Sequence, residues 1–96
     1  MAAGRLTKIA AYDFVDILHD GIAQFGKPQA RKYRKSLEDT FETLALAPLI
    51  GREHTGAIKS VRVHFHQAHV VVYVIEGAGI IILRLLPSRS DWKDYL

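Results

Sequence analysis

The spacing of the apolar residues changes near Pro48, and this change limits the folds that the chain can adopt. Before Pro48, apolar residues recur three and four positions apart, as one face of a helix requires. After it, β-branched residues dominate residues 61–65, 69–75 and 80–86. Residues 2–7 carry a weaker signal for an edge strand. The sequence therefore predicts an α+β domain in which a helical hairpin packs on one face of an antiparallel sheet of three to four strands.

The ends of the two predicted helices are marked by residues with known capping preferences. Thr7 is a suitable N-cap for the first helix, and Gly26 followed by Pro28 ends that helix and begins the second. Pro48 cannot continue the second helix, which is therefore expected to end just before it. Residues 48–57 are predicted to form the loop that leads to the sheet.

Composition restricts the class of protein. A chain of 96 residues with 49% hydrophobic content fits one domain, residues 1–96, whose core needs neither metal nor disulfide. Without cysteine there is no disulfide or thiolate zinc site, and the N-terminus lacks the apolar segment of a signal peptide. We expect a cytoplasmic protein without cofactor or membrane contact. The net charge of +3 suits an acidic partner but is too small to predict sequence-specific DNA binding.

Alternation along the strands divides the predicted sheet into two surfaces, if His66-Gln67 and Gly77-Ala78 are its two turns. The first surface is wholly apolar and is expected to pack on the helices. It comprises Val61, Val63, Phe65, Val70, Val72, Val74, Ile81, Leu83 and Leu85. The second is mixed and is expected to be partly exposed, as partner sites often are. It comprises Ser60, Arg62, His64, His69, Val71, Tyr73, Ile75, Ile80, Ile82, Arg84 and Leu86.

Arg62 and Arg84 are the main candidates for a functional site, in one row with Val71 on the second surface. A guanidinium offers planar donors for a carboxylate or a phosphate. The alternative is a solvated sheet face with incidental charges. A three-residue second turn would place Arg84 in the core, where an unpaired guanidinium is costly, so we prefer the two-residue turn.

Three histidines, His64, His66 and His69, lie close together near one predicted turn. Because no carboxylate lies nearby in sequence to orient them, we interpret them as surface histidines rather than metal ligands or proton carriers. The basic run at residues 31–35 either faces solvent or contacts an acidic partner or nucleic acid.

The tail, residues 87–96, is amphipathic and contains Arg89, Trp92 and Tyr95. Its aromatic residues either pack back on the core or, together with arginine, form part of a binding hot spot.

The order of these elements resembles the RelE/ParE toxin superfamily, and the residues that carry the resemblance span nearly the whole chain. Those similar to the family's opening are Leu6, Thr7, Ala10, Asp13 and Ile17. Those similar to its second helix and exit loop are Gln29, Ala30, Tyr33, Leu37, Phe41, Leu44, Ala45, Pro48, Ile50, Gly51 and Arg52. Those similar to its last strands and tail are Ile58, Lys59, Ser60, residues 69–73, residues 82–86, Arg89 and Asp91.

The long hairpin and the Leu44-Ala45, Pro48, Gly51-Arg52 exit favour the ParE type. The resemblance implies a type II toxin that inhibits DNA gyrase by binding and forms a hetero-oligomer with a ParD-like antitoxin. RelE proteins of the same fold cut messenger RNA on the ribosome, so the fold alone does not decide between the activities. A toxin-fold relic that only binds its antitoxin is a third possibility. Pro87 stands where many members have a histidine, so no role of that histidine is carried over.

Two sets of site residues follow from these hypotheses. The first is the surface expected to bind antitoxin or target: Arg62, Val71, Tyr73, Ile82, Arg84, Arg89 and Trp92. In the alternative ribonuclease, the residues expected to stabilise the phosphorane or carry protons are Arg62, Arg84, His64, His69 and Tyr95. The predicted sheet supplies only Lys59, Arg62 and Arg84 as basic groups. This scarcity favours binding over catalysis.

Overall fold

The computed structural model describes residues 5–55 and 60–96, which form two α-helices, five strands and one short 3-10 helix. The helices are α1 (Lys8–Phe25) and α2 (Lys27–Leu46). The strands are β1 (Arg5–Leu6), β2 (Arg52–Thr55), β3 (Ser60–His66), β4 (His69–Glu76) and β5 (Gly79–Pro87), and the 3-10 helix is Trp92–Tyr95.

The predicted helix ends are confirmed, because each depends on local chemistry. The Thr7 hydroxyl accepts a hydrogen bond from the Ala10 N–H at 3.1 Å and so caps α1. Gly26 separates the helices with φ of 85°, in the left-handed region that favours glycine. Neither helix is long and apolar enough to cross a membrane, within the part of the chain that the structure describes.

The described sheet has five strands in the order β1-β5-β4-β3-β2, rather than the expected three to four. β1 runs parallel to β5 and confirms the weak edge-strand signal for Arg5 and Leu6, whereas residues 2–4 lie outside the described residues. β2 lies within the segment predicted as loop. Its four residues are all polar, so it has no apolar alternation, and only its pairing with β3 reveals it.

The prediction of which sheet face meets the helices is wrong. Packed against α1 and α2 are Val71, Tyr73, Ile80, Ile82 and Leu85. The opposite face is a second apolar cluster in which Trp92 packs with Val61, Val63, Val70, Val72 and Leu86. Val71, Tyr73 and Ile82 are therefore fully buried and not exposed as expected.

The reversal has a physical cause. Two of the polar residues on the helix-facing side form hydrogen bonds with nearby groups, so they do not exclude that side from packing. Arg62 donates to the Gly51 carbonyl at 2.7 Å, and His69 Nδ1 lies 2.7 Å from the Tyr33 hydroxyl. Polar content alone was therefore a misleading guide to which face is covered.

The strand register also differs from the prediction. His66 pairs with His69, so the first turn is Gln67-Ala68, while the second is Gly77-Ala78 as predicted. Val72 and Tyr73 pair with Arg84 and Ile82, which leaves Leu83 as the extra residue of a bulge.

Because of this extra residue, the side chains that follow the bulge lie on the sheet faces opposite to those expected from simple alternation along β5. Leu85 joins the helix-side cluster, and Leu86 joins the tail-side cluster. The expected row of Arg62, Val71 and Arg84 does not form, because these residues pair with Tyr73, Leu85 and Val72 respectively.

Candidate functional site

The loop between α2 and β2 is tied to the sheet by one buried tyrosine. The Tyr73 hydroxyl donates to the Pro48 carbonyl at 2.7 Å and accepts from the Gly51 N–H at 2.9 Å. Arg62 adds its bond to the Gly51 carbonyl. A Cβ at Gly51 would collide with the Tyr73 ring, so only glycine allows this approach. Burial raises the pKa of Tyr73, which keeps its hydroxyl protonated and able to donate.

The last residue of α2 and this tied loop together expose three large aliphatic side chains within five residues. The exposed fractions are 77% for Leu46, 71% for Leu49 and 51% for Ile50. We refer to these three residues as the exit-loop patch. Exposed apolar groups on a fixed backbone are typical of partner sites. The patch was not predicted from the sequence, although Leu49 and Ile50 next to Pro48 and Gly51 are unusual in a loop segment expected to be polar.

Arg84 is held by an acidic residue of α1. Its Nε and Nη2 donate to the two Asp13 oxygens at 2.9 and 3.2 Å, and the Leu85 N–H also donates to Asp13 at 3.0 Å. The bonds to Asp13 raise the pKa of Arg84 still further. Arg62 is likewise bonded to the Gly51 carbonyl. Both candidate arginines therefore make contacts within the fold.

All three histidines are partly exposed, and two of them also make hydrogen bonds with α2. His66 Nε2 lies 3.0 Å from the Ser36 hydroxyl and its Nδ1 lies 3.1 Å from the Thr40 hydroxyl, so the β3–β4 turn is tied to α2. Burial lowers the pKa of His66 and of His69, and it raises the pKa of Tyr33, which bonds to His69. His64 is half-buried on β3.

The tail lies against the sheet face that the helices leave uncovered. Trp92 is largely buried there, with edge-to-face contacts to Phe65 at 5.6 Å and to His54 at 5.8 Å between ring centroids. Arg89 is exposed. Tyr95 is also exposed, with the Arg84 guanidinium carbon 5.4 Å from its ring centroid.

The residues of the hypothetical ribonuclease are divided among several places. The Arg84 guanidinium contacts the Tyr95 ring, whereas Arg62 is bonded at the exit loop and His69 at α2. Lys59 lies outside the described residues. Among residues 5–55 and 60–96 there is no group of three or more side chains able to hold a metal ion.

Both the sequence and the fold of this chain are similar to those of known proteins. The family model for the ParE toxin of the type II toxin–antitoxin system parDE matches residues 5–92. A solved structure from the chromosomal ParDE system of P. aeruginosa superimposes with a TM-score of 0.75 at 20% identity, over 91% of this chain and 96% of that chain. No curated protein sequence matches. The likeness in structure shows the fold, and the match over residues 5–92 shows that the chain belongs to the ParE toxin family of type II toxin–antitoxin systems.

Proposed function

We propose that this ParE-family toxin acts by binding DNA gyrase rather than by cutting RNA, and that a ParD-like antitoxin neutralises it. The observation that carries the proposal is the engagement of Arg62 and Arg84 within the fold. Phosphodiester cleavage needs charged and proton-carrying groups within hydrogen-bond reach of the scissile phosphate. Here Arg62 is bonded to the exit loop at Gly51 and Arg84 is charge-paired with Asp13 of α1, so the two guanidiniums are engaged at different elements instead of being presented together to a phosphate.

The exit-loop patch supplies a surface for the proposed binding to gyrase. Leu46, Leu49 and Ile50 are solvent-exposed. The backbone of Pro48 and Gly51, close to them in the chain, is hydrogen-bonded to Tyr73 and Arg62. A fixed loop loses little conformational entropy on association, so burial of its aliphatic side chains contributes more fully to affinity. The patch therefore has the properties of a small apolar hot spot.

The antitoxin is proposed to contact a separate, basic surface. On α2, Arg34 and Lys35 pair with Glu38 and Asp39 of the same helix. Arg31 and Lys32 are exposed, and within the described residues they form no ion pair. An acidic antitoxin segment would find these two charges, and exposed Arg89 in the tail, available for pairing.

A gyrase assay with matched variants tests the proposal. Purified toxin should inhibit supercoiling, and Ile50→Ser should weaken inhibition by about tenfold, since about 1.4 kcal/mol of apolar contact is lost. The control is Ile9→Ser, which makes the same change at an exposed position of α1 and should keep full inhibition. Unchanged supercoiling at toxin concentrations that stop growth in cells would contradict gyrase as the target.

Transcript analysis tests the ribonuclease alternative separately. After induction of the toxin, messenger RNA should remain intact while growth stops. Cleavage within translated transcripts, abolished by Arg84→Gln but not by Ile50→Ser, would overturn the binding proposal. Co-expression of a ParD-like antitoxin that binds this toxin should restore growth, and Arg31→Glu combined with Lys32→Glu should weaken that rescue.

A further inference from the structure

A cleft of about 450 Å³ opens where the end of α1, the start of α2 and the β3–β4 turn meet. Its volume lies within the range of about 300–1,000 Å³ that is usual for ligand sites. The floor includes the apolar side chains of Ile17 and Ala30. The two helices approach closely there because Gly21 has no side chain; an added Cβ would lie 3.3 Å from the Ala30 Cβ. The cleft shares no residue with the exit-loop patch.

The polar side chains that line the cleft include one carboxylate. That carboxylate belongs to Asp20, and the side-chain amides of Gln24 and Gln29 line the cleft as well. Among the described residues that line the cleft there is no lysine or arginine, and within residues 5–55 and 60–96 no cation pairs with Asp20.

His69 does not cancel this negative character. Its imidazole bonds to the Tyr33 hydroxyl at 2.7 Å, and burial lowers its pKa, with the nearby charge of Asp20 acting in the opposite direction. The ring is therefore uncharged near neutral pH and contributes no cation to the cleft.

Two further features of the cleft are an exposed aromatic side chain and a turn that is bonded to α2. Phe25 lines it with 67% of its surface exposed, and an aromatic face attracts cations. Gln67 in the opposite wall has φ of 49°, a left-handed conformation that is uncommon outside glycine. The contacts of His66 and His69 with α2 on either side hold this turn in place. This wall of the cleft is thus tied to α2 by hydrogen bonds.

We propose that this cleft binds an arginine side chain presented by a partner polypeptide. The methylene stem packs on Ile17 and Ala30, and the guanidinium donates to Asp20 while its plane lies against Phe25. A guanidinium suits the site better than an ammonium, because it is planar, stacks on aromatic rings and donates in several directions. The cleft is larger than one side chain and open to solvent, so the flanking backbone of the partner can be accommodated as well.

NMR titration of the isotope-labelled toxin with a short peptide tests this site directly. Acetyl-Ala-Arg-Ala-amide should shift the amide resonances of Asp20, Gln24 and His69. The peptide with citrulline in place of arginine has nearly the same shape without the charge, and it should bind at least about tenfold more weakly. The measurement needs neither gyrase nor antitoxin, so its result is independent of the proposed toxin activity.

Two carboxylate variants decide whether the contact is specific. Asp20→Asn should weaken binding of the arginine peptide about tenfold, through the loss of one charge-assisted hydrogen bond. Asp16→Asn makes the same charge change at an exposed α1 position outside the cleft and should leave binding within about twofold. Equal losses in both variants, or equal binding of the citrulline peptide, would overturn the proposal. Tighter binding of agmatine than of the peptide would refute a polypeptide as the source.

Discussion

The two faces of the sheet are covered by very different amounts of chain. On one side, α1 and α2 contribute 18 and 20 residues and bury Val71, Tyr73 and Ile82 completely. On the other side, a four-residue 3-10 helix contributes Trp92, with Leu96 packed beside it. Both clusters are apolar, so composition alone does not say which face a pair of helices will cover.

The difference has an energetic consequence. Side chains between the sheet and the helices are linked to the cooperative unfolding of the whole domain, whereas those under the tail depend on a short terminal segment. Terminal segments with few contacts open at lower free energy than core helices do. We therefore expect damage to the helix side to unfold the protein and damage to the tail side to act more locally.

The largest expected effect is on the helix side. Leu44→Ala removes a fully buried side chain between α2 and the sheet and should lower the free energy of unfolding by about 3 kcal/mol, because it leaves a cavity. Urea denaturation measures this change. Leu46→Ala, two positions along the same helix but exposed, should change it by less than about 0.5 kcal/mol. Similar losses for the two variants would show that α2 does not bury the face described above.

The next effect is on the tail side. Trp92→Ala should lower the free energy of unfolding by about 2 kcal/mol, less than a tryptophan within a closed core, because the tail can detach without the rest of the fold. Hydrogen exchange should accelerate in β3 and the tail but not in α1. If exchange accelerates equally in α1 and β3, the two faces are not independent. Tyr95→Ala, which removes an exposed ring from the same 3-10 helix, serves as the control.

A smaller effect is expected where the sheet supports the exit loop. Tyr73→Phe removes the partner of the Pro48 carbonyl and the Gly51 N–H and should cost about 1.5 kcal/mol of stability. It should also weaken the proposed inhibition of gyrase, since the exit-loop patch loses its support while its own side chains stay unchanged. Tyr12→Phe, which removes the same atom from an exposed tyrosine, is the matched control. Full inhibition by Tyr73→Phe would show that the loop does not need this anchor.

The sequence predicted the features that depend on neighbouring residues. Thr7, Gly26 and Pro48 set the helix ends through local capping and backbone limits, so both helices were predictable. The Gly77-Ala78 turn was predictable for the same reason. Resemblance to the ParE family extended over these same elements, and the match over residues 5–92 confirmed it.

The features that were not predictable depend on distant partners. The polar strand β2 exists through its pairing with β3, and the bulge at Leu83 is visible only in the register of β4 and β5. The alternation of residues along β4 predicts an exposed Tyr73. In the structure its hydroxyl forms hydrogen bonds with Pro48 and Gly51, which are 25 and 22 positions away. The candidate site therefore lies at the exit loop, which Tyr73 supports, and not on the sheet face where Tyr73 was expected to be exposed.

The smallest expected effect is the pH dependence of the β3–β4 turn, where the sheet is tied to α2 by histidines. Burial lowers the pKa of His66 and His69 in the folded protein, so the unfolded chain binds more protons once the pH falls below the ordinary histidine pKa of 6.5. Stability should therefore be full above that value and decrease as the pH falls below it. Urea unfolding between pH 7.5 and 5 measures the slope. Replacement of both histidines by glutamine should flatten it, whereas His19→Gln, at an exposed position of α1, should not; an unchanged slope in the double variant would place the proton uptake elsewhere.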